Sequence, residues 1–371
     1  MKIAQISGIG VVSCLGMGLE ALWHGVLESR SGIGSDGFGQ VNEISGSDRA
    51  LEFCRISIHE ALNQAGWQRG DVDGLILATT TGQFLQWHQP FIDFAEGLSS
   101  LASFRQAFCH QPLGALSQIL REEFEIQGPA SVVTSACTAS TQALGLSTLW
   151  LRSGRARRLL VGGVEVLCPL TCEGFRSLQL LSPQPCRPFD RDRRGINLSE
   201  GAAFFCVEME SENPLARIEG AGYSTDSFHM TSPEPRGKGS ARAIRQALQK
   251  AAVAVDDIDW IHAHGTGSLH NDAAESSALA EVFGPSLPVS STKWLHGHAL
   301  AASGAIETAL VIKSMLEGKV IATRGLENPD STFSICLPRR DEDRPIRRVL
   351  KNTLGFGGAN AALVIGRGGP V

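Results

Sequence analysis

The run Thr134-Ser135-Ala136-Cys137-Thr138-Ala139-Ser140 is where this chain first offers a nucleophile. A short β-rich stretch, Ala130–Thr134, precedes Cys137, and a helix-like stretch rich in small residues follows it. Cys137 is therefore expected at a helix N-terminus, where unpaired backbone N–H groups and the helix dipole favour a thiolate. A sharp strand-to-helix turn also exposes the side chain, as in nucleophile elbows. On this reading Cys137 is the most readily alkylated of the nine cysteines. The competing reading is a small buried hydrophobe under a helix.

Two histidine segments offer partners. His262-Ala263-His264-Gly265-Thr266-Gly267 closes a strand, and the small residues after His264 leave room for a ligand. His262 and His264 point the same way if the strand runs through both, which admits a metal pair. No cysteine or carboxylate at ligand spacing accompanies them, so no metal is expected. In Ser291-Thr292-Lys293-Trp294-Leu295-His296-Gly297-His298, the last histidine falls at the start of another helix of small residues. A helix N-terminus disfavours protonation of an imidazole, so His298 is expected as a neutral hydrogen-bond donor. Lys293 either supports the histidines or is a solvated surface lysine. Gly355-Phe356-Gly357-Gly358-Ala359-Asn360 precedes the last strand, and its glycines permit positive φ and close approach of backbone to a ligand. Gly8-Ile9-Gly10 lacks the third glycine of a dinucleotide fingerprint, which removes that reading.

The elements that must hold these residues read as follows. Strands are expected at Lys2–Val12, Ala130–Thr134, Arg158–Gly162, Ala202–Glu208 and Ala361–Ile365. Ala50–Ala65 and Arg242–Ala252 each carry one apolar helical face. Strands alternating with helices indicate an α/β protein. Ala61–Gly82 and Ala247–Gly267 are similar at a constant offset of 186 residues (247 less 61, 257 less 71), and each reads as helix, turn and buried strand. A second echo pairs Ser131–Cys137 and its helix with Pro288–Lys293 and the helix from Gly297 to Leu316. Repeated order as well as repeated pattern points to duplication, with two halves at 1–209 and 215–371 and a seam at the polar Glu210–Pro214.

The bulk composition narrows the setting. A net charge of -5 argues against nucleic-acid binding. No apolar stretch reaches membrane-spanning length, and no signal-peptide core follows Met1. The cysteine spacings match no zinc pattern, and reduced thiols fit a cytoplasmic protein.

Taken together and in order, the segments around Cys137, His264, Lys293 to His298 and Gly355 to Asn360 resemble the β-ketoacyl synthase family of the thiolase superfamily. The resemblance extends to Ile6–Gly16, to Cys186-Arg187-Pro188-Phe189-Asp190 and to Asn197-Leu198-Ser199-Glu200-Gly201-Ala202, and so covers nearly the whole chain, Lys2 to Gly366. It implies a thiolase-like five-layered αβαβα fold built from two pseudo-two-fold-related halves. It implies that Cys137 accepts the acyl group, that His264 and His298 are the catalytic histidines, and that Lys293 supports them. Glu307, Asp272 and Glu275 would be supporting acids. Phe356 would act as gate and, with Cys137, supply the oxyanion-hole amides. Thr266 and Ser268 would touch the phosphopantetheine arm. The implied reaction is a decarboxylative Claisen condensation of an acyl-enzyme with malonyl carried on an acyl carrier protein. It needs no cofactor beyond the phosphopantetheine of that carrier. Arg191, Arg193 and Arg194 would form the carrier-facing surface. The implied assembly is a homodimer, or a heterodimer with a ketosynthase-like chain-length factor.

Leu269, Asn271, Asp272, Glu275 and Ser276 resemble the pattern of synthases from aryl-polyene and related pathways. Asn271 stands where the family usually has glycine, and asparagine can imitate glycine in left-handed backbone. A thiolase would carry a second cysteine in the glycine loop, and Gly355–Asn360 has none. A priming synthase would carry asparagine where His298 stands. A chain-length factor typically loses the cysteine, which this chain keeps.

Overall fold

The first strand is apolar on both faces, and it runs through the middle of the molecule. In the computed structural model, which describes residues 3–369, β1 (Ala4–Ser13) is almost wholly buried. The strand expected from Lys2 thus begins at Ala4, and Lys2 lies outside the described residues. Gly8 and Gly10 let a helix settle directly on this strand. A Cβ at either position would meet the helix backbone at Ala61 or Ser57 within 2.1 Å. Their role is packing, not phosphate binding.

The N-terminal half continues with β2 (Gly16–Met17), α1 (Leu19–Leu27), α2 (Arg49–Ala65), β3 (Gly74–Ala78), α3 (Phe84–Ala95), α4 (Leu101–Phe108), α5 (Gly114–Glu123), β4 (Ala130–Val133), α6 (Ala139–Arg152), β5 (Arg158–Glu165), α7 (Pro169–Ser177) and β6 (Gly201–Glu208). The C-terminal half runs β7 (Ala216–Thr225), α8 (Lys238–Ala251), β8 (Trp260–His262), α9 (Leu269–Phe283), β9 (Val289–Ser290), α10 (Lys293–His296), α11 (Leu300–Glu317), β10 (Lys319–Val320), β11 (Glu342–Asp343), β12 (Arg348–Gly355) and β13 (Ala359–Arg367). The main sheet has the order β4-β3-β5-β6-β1-β7-β13-β12-β8-β9. Outward from the antiparallel β1–β7 junction, both arms follow one plan: two antiparallel neighbours, then parallel outer strands.

The offset seen in the sequence persists in three dimensions. The turn Arg69–Asp71 and the turn Val255–Asp257 are both single 3₁₀ turns between helix and strand. Asp71 and Asp257 cap them in the same way, accepting from the backbone N–H of Gln68 and Ala254. Asp73 and Asp259 each accept two backbone N–H groups from the strand alongside.

Helices α6 and α11 are buried nearly all round because they form the middle layer, each packing on strands of both arms and on the other. Helix α2 covers the outer face of the first arm and α8 that of the second. The result is the five-layered thiolase-like architecture. The site lies where the middle helices begin, at the ends of the strands that feed them.

Candidate active site

Cys137 sits on a tight elbow between β4 and α6. Ala136 takes φ 45°, a left-handed conformation that an L-residue adopts only when its surroundings enforce it. The enforcement is visible. Thr138 Oγ1 donates to Ser135 O at 2.8 Å, and the Gln142 amide donates to both Ser135 Oγ and Thr138 Oγ1 at 2.9 Å. The elbow does not expose the thiol to bulk solvent. Cys137 is 5% exposed and forms the floor of a cavity of about 330 Å³.

Burial also reverses the expected acidity. It pushes the Cys137 thiol up to about 12, against the opposing pull of the Lys293 charge and of the Phe356 amide. The helix-terminus argument underestimates desolvation, which penalises the charged form of a buried group. Burial thus opposes the thiolate that the helix start, Lys293 and the Phe356 amide favour. Among the other cysteines, Cys109 is exposed, so brief alkylation followed by peptide mapping would compare its labelling with that of Cys137.

His298 Nε2 lies 3.0 Å from Cys137 Sγ. The segment Asn197–Ser199 holds His298 in place: its N–H donates to Asn197 O at 2.7 Å, and its carbonyl accepts from Ser199 N–H at 3.0 Å. The His264 ring stands edge-on to that of His298, with centroids 5.1 Å apart. Both imidazoles are held neutral, well below the usual histidine range, first by burial and then by the Lys293 charge. The helix start is not the main cause.

Lys293 is fully buried rather than a surface lysine. Its ammonium lies 3.3 Å from His264 Nδ1 and pairs with Glu307. An ammonium can only donate, so Nδ1 must accept and Nε2 carries the proton. Lys351, a residue the sequence reading did not single out, pairs with the other Glu307 oxygen at 2.7 Å. Burial alone would raise the Glu307 carboxyl, but the two lysines override it and hold the carboxylate well below its usual range. A lysine inside an otherwise strand-like run was the available signal. From the sequence, His262 stands only as half of a metal pair with His264, and His296 carries no role. They flank Thr292 Oγ1 at 3.0 and 2.9 Å and form a buried polar layer beside Lys293. Strand β8 ends at His262, so His262 and His264 do not share a strand face.

The acids Glu275 and Asp272 act on the backbone. Glu275 accepts the N–H groups of His264 and Gly265, both at 2.7 Å, which fixes the loop that carries His264. Asp272 accepts from Phe189 N–H at 2.8 Å and Gly267 N–H at 3.2 Å, tying the Cys186–Asp190 segment to that loop. Asn271 is not in left-handed backbone: it lies in the first turn of α9, and its amide donates to Asp272. Thr266 and Ser268 line the cavity, with their hydroxyls 3.0 Å apart.

The glycine loop closes over the thiol. A Cβ on Gly355 would sit 3.3 Å from the Cys137 nitrogen, so the loop rides on the elbow. The Phe356 amide faces the Cys137 sulfur, and the Phe356 ring stacks on Phe175 with centroids 5.3 Å apart.

The arginine cluster divides. Arg191 is exposed, and Arg194 is exposed and lines the cavity mouth. Arg193 is not part of that surface. It is buried, pairs with Asp330 at 2.8 Å and lies over the Phe333 ring. Its guanidinium braces the loop from inside.

The Cys137 sulfur and the His264 and His298 ring nitrogens all lie within 4.8 Å of one another, a spacing that could hold a metal ion. The donor set fits poorly, because the protonated Nε2 of His264 offers an ion no lone pair. No helix among the described residues is long and apolar enough to cross a membrane.

This layout sets a buried cysteine, two neutral imidazoles and a glycine loop around one cavity of a thiolase-like fold. Comparison with known proteins narrows the class. The family model for the β-ketoacyl synthase N-terminal domain matches residues 35–213, and that for the C-terminal domain matches residues 215–327. The 3-oxoacyl-[acyl-carrier-protein] synthase 2 of Rhizobium meliloti (strain 1021) is 30% identical over 420 aligned positions, covering 99% of each chain. Nodulation protein E of the same strain is 29% identical and covers 96% of this chain and 97% of its own. Among solved structures, the ketosynthase assembly AntDE with its acyl carrier protein AntF superposes with a TM-score of 0.92 at 25% identity over 99% of each chain. The complex of ketosynthase ApeO with chain length factor ApeC from Xenorhabdus doucetiae gives 0.89 at 26%, over 99% of this chain and 98% of that one. The chain belongs to the β-ketoacyl synthase family: it is a ketosynthase, an elongating acyltransferase.

Proposed function

We propose that Cys137 accepts an acyl chain from one acyl carrier protein and that the enzyme then condenses it with malonyl delivered on another. The observation that carries this reading is the convergence of Cys137 Sγ, two neutral imidazoles and the Phe356 amide on one cavity. In loading, the Cys137 sulfur attacks the carrier thioester. The new S–acyl bond forms, and the phosphopantetheine sulfur leaves with the thiol proton. Malonyl then loses carbon dioxide, and the Nε2–H groups of His264 and His298 hold the enolate oxygen. The resulting carbanion attacks the acyl carbon. The amides of Cys137 and Phe356 hold the tetrahedral oxyanion until its collapse expels Cys137 as a thiolate, which takes a proton from solvent while the longer chain departs on its carrier. No step calls for a cofactor of the enzyme's own. Thr266 and Ser268 would guide the arm, Phe356 stacked on Phe175 would gate access, and Glu307, Asp272 and Glu275 would keep the machinery rigid.

The pattern Leu269, Asn271, Asp272, Glu275 and Ser276 favours acyl groups of the aryl-polyene or related polyene type. Intact mass measurement after incubation with a panel of acyl carriers tests both levels. Polyenoyl or aryl-polyenoyl groups should load onto Cys137 ahead of saturated chains. Preferential loading of saturated chains would refute the subtype, and the absence of any acyl adduct would refute the ketosynthase mechanism.

A ketosynthase-like partner chain is the second element of the proposal. Strand β4 lies at the end of the sheet with every residue only partly covered, and an unpaired edge is a template for another strand. Helices α3 and α4 and the turn between them expose Phe91, Leu98, Leu101 and Phe108. The AntDE and ApeO–ApeC structures are themselves paired assemblies, and an analogous homo- or heterodimer would cover this edge.

Carrier docking makes a separate prediction. Arg191 is exposed and does not line the cavity, so Arg191→Glu should raise KM for an acyl carrier protein roughly fivefold, in keeping with the modest worth of surface charge pairs. Turnover of a small pantetheine thioester should not change. The difference should fade as salt rises, because exposed charges are screened over about 10 Å at 0.1 M. Equal losses with both substrates would place the damage in the active site.

A further inference from the structure

The two histidines differ in what stands behind them. Behind His264 Nδ1 is the Lys293 ammonium. Behind His298 Nδ1 is a neutral hydroxyl, Ser303 Oγ, at 2.7 Å. Ser303 is fully buried in the first turn of α11. Among the described residues, His298 Nδ1 is the only hydrogen-bond partner of that hydroxyl.

A buried hydroxyl that donates to nothing forfeits the hydrogen bond it had in water, at a cost comparable to a lost hydrogen bond. Among the described residues, the one acceptor within hydrogen-bond distance of Ser303 Oγ is His298 Nδ1, so the hydroxyl proton belongs there. A neutral imidazole has one protonated nitrogen. If Nδ1 accepts, Nε2 carries the proton and aims it into the cavity, beside Cys137 Sγ. His298 is neutral because burial disfavours its charged form.

We infer that Ser303 is a positioning residue that fixes the tautomer of His298, doing with a hydroxyl what Lys293 does for His264 with an ammonium. Both rings are then set as Nε2–H donors before malonyl arrives. The consequence for the two half-reactions is asymmetric. Condensation needs the Nε2–H of His298 for the enolate. Loading does not need His298 as a proton acceptor, because the thiol proton leaves with the phosphopantetheine sulfur. This inference rests on the condensation mechanism proposed above.

Ser303→Ala tests it. The substitution removes one small buried hydroxyl, and the fold should survive. Malonyl-carrier decarboxylation should fall roughly tenfold, the size expected for a lost hydrogen bond to a buried group, while the rate of acyl loading changes little. Ser303→Thr keeps a hydroxyl and should recover most of the loss. Ser303→Asp supplies an acceptor instead of a donor and should depress decarboxylation further than alanine does. Nitrogen-15 shifts of His298 give a readout independent of activity. The wild-type ring should be protonated at Nε2, and that population should drop in Ser303→Ala. A ring found protonated at Nδ1 in the wild type would overturn the inference. So would equal losses in loading and decarboxylation, or unchanged decarboxylation in Ser303→Ala. Failure of the wild-type enzyme to decarboxylate malonyl carrier at all would instead refute the underlying mechanism, and the nitrogen shifts would still report the tautomer.

Discussion

Cys137→Ala is expected to take up no acyl group from any carrier and to produce no condensation product. Among the described residues, Cys137 is the only cysteine lining the cavity, and its sulfur has both an imidazole and a backbone amide facing it. None of the other eight thiols lines the cavity, although Cys172 packs in the same hydrophobic cluster. The substitution removes one sulfur at a cavity floor, so packing should be little disturbed. Decarboxylation of malonyl carrier should remain measurable, because His264, His298 and the Phe356 amide are untouched. That split separates loss of the nucleophile from loss of the fold. Intact mass after exposure to acyl carrier gives the first readout, and carbon dioxide release the second. An acyl adduct on the variant would show that another residue is the acceptor.

The parts of this site that were legible in the sequence are those carried by local pattern. Cys137, His264 and His298 each stand beside small residues at the junction of a strand-like and a helix-like run, because a ligand needs room and a middle-layer helix needs small side chains. The two-fold plan was legible for the same reason: the turns at Arg69–Asp71 and Val255–Asp257 are local structures with local caps. What could not be read depends on partners far away in the chain. Lys351 has no meaning until Glu307 is beside it, and Arg193 looks like its exposed neighbours until Asp330 and Phe333 surround it. Ser303 lies five positions after His298, and only the turn into α11 brings its hydroxyl to the ring. The segment holding α3, α4 and α5 gave no reading, and much of its apolar surface faces outward in the single chain.

The acidity of Cys137 shows a different limit. A helix N-terminus is a local feature and lowers a thiol by local means. Burial is a property of the whole fold, and here it wins, taking the thiol up to about 12. In the mechanism proposed above, the Lys293 charge and the Phe356 amide oppose that burial and would favour the negative charge that develops on the sulfur as the thioester is attacked.

His264→Ala and His298→Ala should each lose malonyl decarboxylation far more than acyl loading. The enolate is the species that needs hydrogen-bond donors where charge develops, and a single donor of this kind is worth about 3–4 kcal/mol, so the loss should be roughly a hundredfold or more. The two variants should differ in pH behaviour by little, because burial keeps both rings neutral well below the usual histidine range. In the wild type, decarboxylation should accordingly show no inflection near pH 6.5, the ordinary histidine value. The sign follows from the direction of the shifts: the donors become cationic only at pH values well below the ordinary one, so activity present at neutral pH should persist as pH falls through that range. Secondary damage is also unequal. Removing the His264 ring leaves the Lys293 ammonium without one of its two partners but still paired with Glu307, whereas removing the His298 ring leaves the buried Ser303 hydroxyl with none among the described residues. Single-turnover decarboxylation and loading, measured side by side for each variant, provide the test. Near wild-type decarboxylation in both would mean that the enolate is held elsewhere. An equal fall in loading and decarboxylation would mean that the rings serve the cavity's shape, not its chemistry.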